Sequence, residues 1–279
     1  MTTTPERQVQ RLTEFEHEGL HFSVRDQGPR SGSVVVLLHG FPQDARAWDA
    51  VVPVLHAAGL RTLALEQRGY GPDNAPREAR SYSLRAIAGD VLAMLDAAGV
   101  DRAHLAGHDW GGAVAWHLAG TSDRIISTTV LSTPHPAALT WSFTRSLQGL
   151  SSYYMALFQL PALPERALAP RLRSFYLKSG LPDEHAARYA DRFADPCALR
   201  GPINWYRAML RHPAKTPRSR VPTTYVWGNK DFALGSVAAR RTASYARSEY
   251  RFLEIEAGHW LPETHAGLVA HEIVYRVQA

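Results

Sequence analysis

The chain has 279 residues, of which 45% are hydrophobic and 20% are charged, a composition typical of a globular protein with a sizeable core. Its net charge of +5 comes mostly from scattered arginines, which argues against a nucleic-acid partner. Cys197 is the single cysteine, so an intramolecular disulfide and a cysteine-based zinc finger are excluded. The polar start, Met1–Gln10, shows no signal peptide, and the longest apolar run, Val34 to Leu38, is too short for a membrane span. We therefore expect a cytoplasmic protein without membrane insertion.

Short aliphatic runs alternate with helical patterns along most of the chain. Such alternation is typical of β-α-β units, which build a mostly parallel sheet flanked by helices, and it predicts the α/β class. The predicted strands are residues 33–40, 60–65, 103–107, 223–227 and 250–255, and the predicted helices are residues 45–58, 84–98, 237–245 and 264–277.

The alternation stops between residues 136 and 217. This stretch is rich in aromatic residues, arginine and proline, and it predicts several helices without a clear strand. We expect a helical cap domain at 136–217, inserted between the two parts of a core domain, 1–135 and 218–279. Ligands bind at the carboxyl ends of the strands in open α/β sheets, so the cap should cover the site there.

The strongest motif is Gly107–Gly112, which follows a predicted strand and precedes a predicted helix. This is the context of a nucleophile elbow, whose small residues allow a sharp turn from strand to helix. Asp109 occupies the central position, where serine is usual, and the chain contains no Gly-x-Ser-x-Gly sequence. We predict that Asp109 is the nucleophile. The alternative is that Asp109 only caps the helix that follows it.

Two further residues complete a candidate triad. Asp231 lies in the loop after the next-to-last predicted strand, and His259 lies in the loop after the last one. The order nucleophile, acid, histidine is the one used by this kind of fold, and the ends of parallel strands meet at one edge of the sheet. Asp231 or His259 alone could be an ordinary loop residue. Because both follow strand ends, we predict that they lie beside Asp109 at the same edge of the sheet.

An oxyanion hole is predicted from a third strand end. His39–Pro42 follows the first long strand, and the backbone N–H groups of Phe41 and Trp110 are the expected donors. The alternative for this loop is a simple turn, because glycine and proline mark turns in general.

Taken together, five motifs resemble the epoxide hydrolases of the α/β-hydrolase fold. The resemblance runs from about residue 12 to 275, and the motifs that carry it are His39–Pro42, Arg68–Gly71, Gly107–Gly112, Lys230–Phe232 and Gly258–Trp260.

The resemblance implies two cap tyrosines that activate the epoxide oxygen. One is Tyr206, in the motif Asn204–Arg207; the other is Tyr154, although Tyr153 stays open. It also implies an apolar epoxide and water as substrates and a reaction that requires no cofactor and no metal. We expect a monomer or a homodimer. The expected substrate pocket contains Phe41, Trp110, Trp141, Tyr153, Phe158, Trp205, Met209 and Trp260.

The implied chemistry suits these residue types. A carboxylate is ionised at neutral pH and attacks a saturated carbon without help from a base. Tyrosine hydroxyls protonate the alkoxide that forms, and His259, oriented by Asp231, then activates water against the Asp109 ester.

Competing functions remain open at this stage. A haloalkane dehalogenase shares the Asp nucleophile, but it would be expected to have asparagine where Phe41 stands; a fluoroacetate-type dehalogenase would be expected to have arginine in place of Trp110. A non-catalytic ligand-binding homologue is the alternative outside the enzymes.

Three other features of the sequence are not expected to take part in the reaction. The string His17–His21 matches a zinc-protease motif, but its alternating surroundings predict a β-hairpin. Gln43 and Glu66 depart from the residues usual in the resembled family, and neither is expected to take part in the reaction.

Overall fold

The computed structural model of the protein describes residues 11–279, with the side chain of Ser151 left aside. The expectation made for Met1–Gln10 lies outside the described residues. Eight strands form one sheet in the order β1-β2-β4-β3-β5-β6-β7-β8. The strands are β1 Glu14–His17, β2 Leu20–Gln27, β3 Val34–Leu38, β4 Arg61–Leu65, β5 Ala103–His108, β6 Ile125–Leu131, β7 Thr223–Gly228 and β8 Tyr250–Ile255.

The sheet is mostly parallel. β1 pairs antiparallel with β2, and β2 antiparallel with β4, whereas the pairs from β4 through β3, β5, β6 and β7 to β8 are all parallel. The carboxyl ends of β3, β5, β7 and β8 therefore meet at one edge, which confirms the predicted α/β fold with a mostly parallel sheet.

Thirteen α-helices are described besides six short 3₁₀ helices. The α-helices are α1 Val52–Ala57, α2 Leu84–Ala97, α3 Trp110–Thr121, α4 Pro136–Ser142, α5 Gln148–Ser151, α6 Tyr153–Leu157, α7 Leu163–Leu168, α8 Leu172–Lys178, α9 Asp183–Arg192, α10 Arg200–Arg211, α11 Ser236–Arg241, α12 Leu261–Thr264 and α13 Ala266–Gln278. The 3₁₀ helices are Ala45–Trp48, Pro72–Asn74, Ala79–Tyr82, Ala169–Arg171, Pro196–Leu199 and Thr242–Tyr245. None of the helices described between residues 11 and 279 is both long and apolar enough to cross a membrane.

Two sequence predictions differ from the structure. The single helix expected at 45–58 is a 3₁₀ helix followed by α1, because Pro53 has no N–H to continue a helix from the preceding turn. Strand β6 was not predicted. Its residues include Ser127, Thr128 and Thr129 and no glycine follows directly, so it lacks the pattern of the other parallel strands.

The hairpin predicted at His17–His21 is confirmed. Strands β1 and β2 are joined by Glu18 and Gly19, whose φ angles of 51° and 72° make a tight turn. His17 bonds through Nδ1 to Asp90, at 2.8 Å, rather than facing His21 across a helix. Residues 11–279 hold no group of three or more His, Cys, Asp or Glu side chains that could bind a metal ion.

The sheet separates two apolar layers. Successive residues of β3 point to opposite faces, so Val36 and Leu38 pack in one layer whereas Val35 and Leu37 pack in the other. All four are fully buried, as expected for a central parallel strand covered on both faces.

Helices α4 to α10 lie between β6 and β7, and the described residues from 132 to 222 form no strand. Tyr206 on α10 packs against Trp110, the first residue of α3, with ring centroids 5.0 Å apart. This helical stretch therefore lies over the carboxyl edge of the sheet. Its treatment as a separate cap domain at 136–217 stays a prediction.

Candidate active site

Asp109 lies at the junction of β5 and α3 in a strained backbone conformation. Its φ of 50° and ψ of −118° fall where residues other than glycine are rare. The carbonyl oxygen of Asp109 accepts hydrogen bonds from Thr133 Oγ1, at 2.7 Å, and from Ala113 N, at 3.1 Å. The Asp109 side chain makes no capping hydrogen bond to α3, so the capping alternative is wrong. The turn presents the carboxylate at the sheet edge instead.

Glycines around Asp109 are required by close backbone approaches. A Cβ atom on Gly111 would lie 2.2 Å from the carbonyl oxygen of Leu38, and one on Gly107 would lie 2.3 Å from the carbonyl oxygen of Gly111. On Gly40 it would lie 2.3 Å from the Cβ atom of Asp109. The tight elbow between β5 and α3 depends on these absent side chains.

Replacing Gly111 with alanine should destabilise the protein by about 1–3 kcal/mol, the usual cost of overpacking. The obstructing atom is a backbone oxygen, so α3 and Asp109 must shift, and activity should fall as well. The measurement is chemical denaturation of the wild type and the variant. Gly267→Ala is the control, since no atom lies within 4 Å of its added Cβ in helix α13; that variant should be neutral or slightly more stable. Equal stability of G111A and wild type would contradict the expectation.

The Asp109 carboxylate is held by a backbone N–H group of the loop His39–Pro42. Phe41 N donates to Oδ1 at 2.7 Å. Burial raises the pKa of Asp109, while His259 and the backbone N–H groups of Phe41 and Trp110 lower it. Phe41, one of the two donors expected from the sequence, thus bonds the predicted nucleophile, and the N–H of Trp110 favours its charged form.

His259 and Asp231 form a hydrogen-bonded pair beside Asp109. His259 Nδ1 lies 2.8 Å from Asp231 Oδ2, and His259 Nε2 lies 3.7 Å from Asp109 Oδ2. The other oxygen of Asp231 accepts from the backbone N–H groups of Ala233, at 2.8 Å, and Leu234, at 3.0 Å. The Asp231 carboxylate is therefore anchored as an acceptor, and His259 donates from Nδ1.

Charge controls the ionisation of His259. Burial alone would lower its pKa, but Asp231 and, to a smaller extent, Asp109 raise the pKa of His259 to about 9. This raised pKa favours the imidazolium form of His259 at neutral pH, beside the side chain of Asp109.

Tyr154 and Tyr206 both line a cavity of about 700 Å³ that also contains Asp109. Their ring centroids are 5.9 Å apart. Burial, followed by the charge of Asp109, raises the pKa of Tyr154. Burial, followed by Tyr154 and Asp109, raises the pKa of Tyr206. Both hydroxyls consequently stay protonated at neutral pH and are able to donate a hydrogen bond or a proton.

Tyr153 and Tyr154 differ in exposure and in their position relative to the cavity. Tyr153 is 66% exposed and lies on the outer face of α6, whereas Tyr154 faces the cavity. Tyr153 therefore does not line the cavity, in contrast to the expectation that placed it in the substrate pocket.

The other expected pocket residues fall into three groups. Trp110, Trp205 and Met209 line the cavity. Phe41 and Phe158, which were also expected there, do not line the cavity. They pack behind it against the Tyr206 ring, with centroids 5.1 and 5.0 Å away.

Trp141 and Trp260 do not line the cavity, so these two expectations are wrong. Trp141 lies between the guanidinium groups of Arg145 and Arg241, 4.8 and 4.9 Å from its ring centre, where cation–π contacts hold it away from the pocket. Trp260 packs against the His259 ring with centroids 5.1 Å apart and donates from Nε1 to Ser179 Oγ.

Sequence reasoning missed a buried network behind the site. Gln43 Oε1 accepts a hydrogen bond from Gly40 N at 2.8 Å and also lies 2.8 Å from His108 Nδ1. The other ring nitrogen of His108, Nε2, lies 2.9 Å from the carbonyl oxygen of His259. Gln43 Nε2 donates to Glu263 at 2.6 Å. Gln43 therefore ties the loop that carries Phe41 to the loop that carries His259. The position of Gln43 directly after the motif His39–Pro42 was the feature of the sequence that could have indicated this role.

Residues 33–266 match the family model of the alpha/beta hydrolase fold. The chain therefore belongs to the α/β-hydrolase family, and the protein is a hydrolase of that fold.

Within this family, the chain is similar to several epoxide hydrolases. The chain is 33% identical to the AB hydrolase superfamily protein YfhM of Bacillus subtilis (strain 168), over 87% of this chain and 89% of that protein. It is 32% identical to epoxide hydrolase 4 of Mus musculus, over 91% of this chain and 76% of that protein. The crystal structure of epoxide hydrolase A from Mycobacterium thermoresistibile superposes with a TM-score of 0.83 at 26% identity, over 95% of this chain and 97% of that one. The resemblance to epoxide hydrolases predicted from the motifs is confirmed.

Proposed function

We propose that the protein is an epoxide hydrolase that converts an apolar epoxide into a vicinal diol through an alkyl ester on Asp109. One observation carries the proposal: the Asp109 carboxylate, held by Phe41 N, lines the same cavity as the buried Tyr206 and the half-buried Tyr154, whose raised pKa values keep both hydroxyls protonated. A nucleophile and two acids around one apolar cavity are what opening an epoxide requires.

In the first half-reaction, an oxygen of Asp109 attacks one epoxide carbon. The C–O bond to the ring oxygen breaks, its electron pair stays on that oxygen, and Tyr154 and Tyr206 stabilise and protonate the alkoxide. The products are a neutral alkyl ester on Asp109, a free hydroxyl on the neighbouring carbon and a tyrosinate on the residue that gave up the proton. No oxidant, reductant or cofactor enters this step.

In the second half-reaction, His259 removes a proton from water, and the hydroxide attacks the carbonyl carbon of the ester. Negative charge develops on the former carboxylate oxygen, where Phe41 N donates and the Trp110 N–H is assigned as the second donor. The ester C–O bond breaks, and the leaving alkoxide takes the proton from the His259 imidazolium and departs as the second hydroxyl of the diol. The carboxyl proton left on Asp109 restores the tyrosine that was deprotonated in the first half-reaction, so the Asp109 carboxylate is regenerated. Asp231 stabilises the imidazolium that forms.

The cavity supports an apolar substrate. Besides the site residues, its lining includes Leu84, Ile87, Phe143, Met155 and Met209. Aliphatic and aromatic side chains favour hydrocarbon groups over charged ones.

The activity is tested by measuring diol formation from styrene oxide beside halide release from a bromoalkane. The proposal expects diol from the epoxide and little halide. Halide release without diol would favour a haloalkane dehalogenase, and neither product would favour a ligand-binding protein. Phe41 has no side-chain N–H for a departing halide, which supports the first outcome.

The two half-reactions should depend differently on pH. Asp109 raises the pKa of His259, so converting Asp109 into a neutral ester lowers that pKa below about 9. His259 acts as a base only when it is neutral, so ester hydrolysis should rise with pH and level off above the lowered pKa. Alkylation instead should fall at acid pH, where Asp109 becomes protonated, and burial shifts that fall to a higher pH than for a free aspartate.

Single-turnover rates of the two steps across pH check this expectation. In Asp231→Asn the main group that raises the pKa of His259 is lost, so the rising limb of hydrolysis should move to lower pH. A hydrolysis rate that is constant from acid to alkaline pH would contradict the assigned role of His259.

A further inference from the structure

One face of the helical stretch exposes large apolar side chains. Of the twelve large hydrophobic residues that are exposed among those described, six fall within seventeen positions of one another. These six form what we term the apolar ridge: Leu147, Leu150, Tyr153, Leu157, Leu160 and Leu163, which are 74%, 73%, 66%, 51%, 44% and 59% exposed.

The ridge follows the periodicity of a helix surface. Its members are spaced three or four residues apart, within or directly beside α5, α6 and the start of α7. Within a helix this spacing places side chains on one side, as it does for Tyr153 and Leu157 of α6. The opposite side of α6 faces the active site, because Tyr154 and Met155 line the cavity. The stretch is thus apolar on both sides, whereas a helix that only covers a cavity has a polar outer face. An exposed patch of this kind marks a binding surface.

The exposed charges of the segment that carries the ridge are of one sign. Between residues 143 and 171 the exposed charged residues are Arg145, Arg166 and Arg171. Glu165 is the single acidic residue of that range, and it is buried in an ion pair with Arg207 at 2.7 Å. The surface therefore combines apolar side chains with arginines, and the whole chain carries a net charge of +5.

We propose that the apolar ridge docks the protein onto an anionic lipid surface. Leucine and tyrosine side chains would enter the boundary between headgroups and acyl chains, and the arginines would pair with anionic headgroups. The helices of the ridge have four to six residues each, so they lie along the surface and do not span it. Docking of this kind does not depend on the proposed activity.

A second copy of the chain fits the surface less well. In a symmetric dimer the same patch faces itself, which would bring Arg145, Arg166 and Arg171 of both copies together without an exposed acidic partner from the segment. Like charges brought together oppose association, whereas an anionic membrane attracts each of them.

The test is sedimentation of the full chain with unilamellar vesicles of phosphatidylglycerol and phosphatidylcholine in equal parts, at low ionic strength. The wild type should bind these vesicles, bind pure phosphatidylcholine more weakly, and lose affinity as salt is added. The variant Leu147→Ser/Leu150→Ser/Leu157→Ser should bind about tenfold more weakly or worse, because three apolar side chains no longer leave water.

Two controls separate the ridge from general surface properties. Val54→Ser/Leu177→Ser removes two apolar side chains that are each 45% exposed outside the ridge, and it should bind like wild type. The double variant Arg166→Gln/Arg171→Gln removes two positive charges beside the ridge and should weaken binding. The double variant Arg30→Gln/Arg102→Gln removes two positive charges away from the ridge and should weaken binding less. Circular dichroism and thermal melting verify that every variant is folded, as expected for exposed positions.

Three results would overturn the proposal. The first is no binding of wild type to the anionic vesicles. The second is equal binding by the ridge variant, which would assign the affinity to scattered basic charge. The third is a wild-type dimer that the ridge variant converts to a monomer, which would assign the ridge to a second copy. Diol formation from a water-soluble epoxide should be unchanged in the ridge variant, so failure of docking is distinguishable from failure of the proposed function.

Discussion

The His259→Gln variant should accumulate a covalent ester on Asp109 when it is mixed with a reactive epoxide. Attack by Asp109 does not need a base, whereas hydrolysis of the ester does, and a lost general base costs about 10²–10⁴-fold in rate. Intact mass should increase by the mass of the epoxide, and peptide mapping should place the adduct on Asp109. Because His259 also lowers the pKa of Asp109, alkylation by the variant should be measured above neutral pH.

The control for this experiment is Asp109→Asn, which keeps the size of the side chain but removes the nucleophile and should form no adduct. In wild type, a single turnover in heavy-oxygen water should place label in the Asp109 carboxylate and not in the diol, because water attacks the ester carbonyl. If no adduct forms in His259→Gln and the first-turnover diol carries the label, then Asp109 acts as a base toward water and the proposed ester is wrong.

Replacing Tyr206 or Tyr154 with phenylalanine should slow ring opening about 10²-fold or more, the usual scale for a lost general acid. Both rings line the cavity with Asp109, and burial keeps both hydroxyls protonated, so each removal takes away a donor to the departing oxygen. The readout is the single-turnover rate of alkylation. Hydrolysis of an ester already formed should change little, because the tyrosines are assigned to the first step.

Tyr153→Phe is a matched control for the tyrosine variants. Tyr153 is adjacent in sequence to Tyr154, but it is 66% exposed on the outer face of α6, so its hydroxyl should not affect alkylation. All three variants lose only a hydroxyl and should fold like wild type. Alkylation rates of Tyr206→Phe and Tyr154→Phe that both equal the Tyr153→Phe rate would remove the acid role from the cap tyrosines.

The strand ends could be located from the sequence because their chemistry is local. A parallel strand has a short aliphatic run, and the residues directly after it must lie at the carboxyl edge of the sheet. Phe41, Asp109, Asp231 and His259 each follow such a run, and in the structure Phe41 N, the Asp109 carboxylate and the His259–Asp231 pair do meet there. The fold class followed from the same alternation of strands and helices.

Side-chain direction in the helical stretch was decided by tertiary structure. Tyr153 and Tyr154 are neighbours with the same side chain, and only packing of α6 over the cavity turns one inward and the other outward. Trp141 was expected in the pocket because it is aromatic, but Arg145 and Arg241 hold it elsewhere, and Arg241 is distant in sequence. Such long-range contacts leave no periodic signal in the chain.

The sequence by itself thus determined the fold class, the strands that end at the site residues, the order of those residues and the family, because each depends on local patterns and on motifs at strand ends. It did not reveal β6, whose serine and threonine residues lack the aliphatic pattern. Only the tertiary structure decided what supports the site. Gln43 looked like a neutral departure from the resembled family, yet it bonds Gly40, His108 and Glu263, which are 3, 65 and 220 positions away. A single side chain joins distant loops because folding buries it among them, and its partners become neighbours only when the strands have assembled into the sheet.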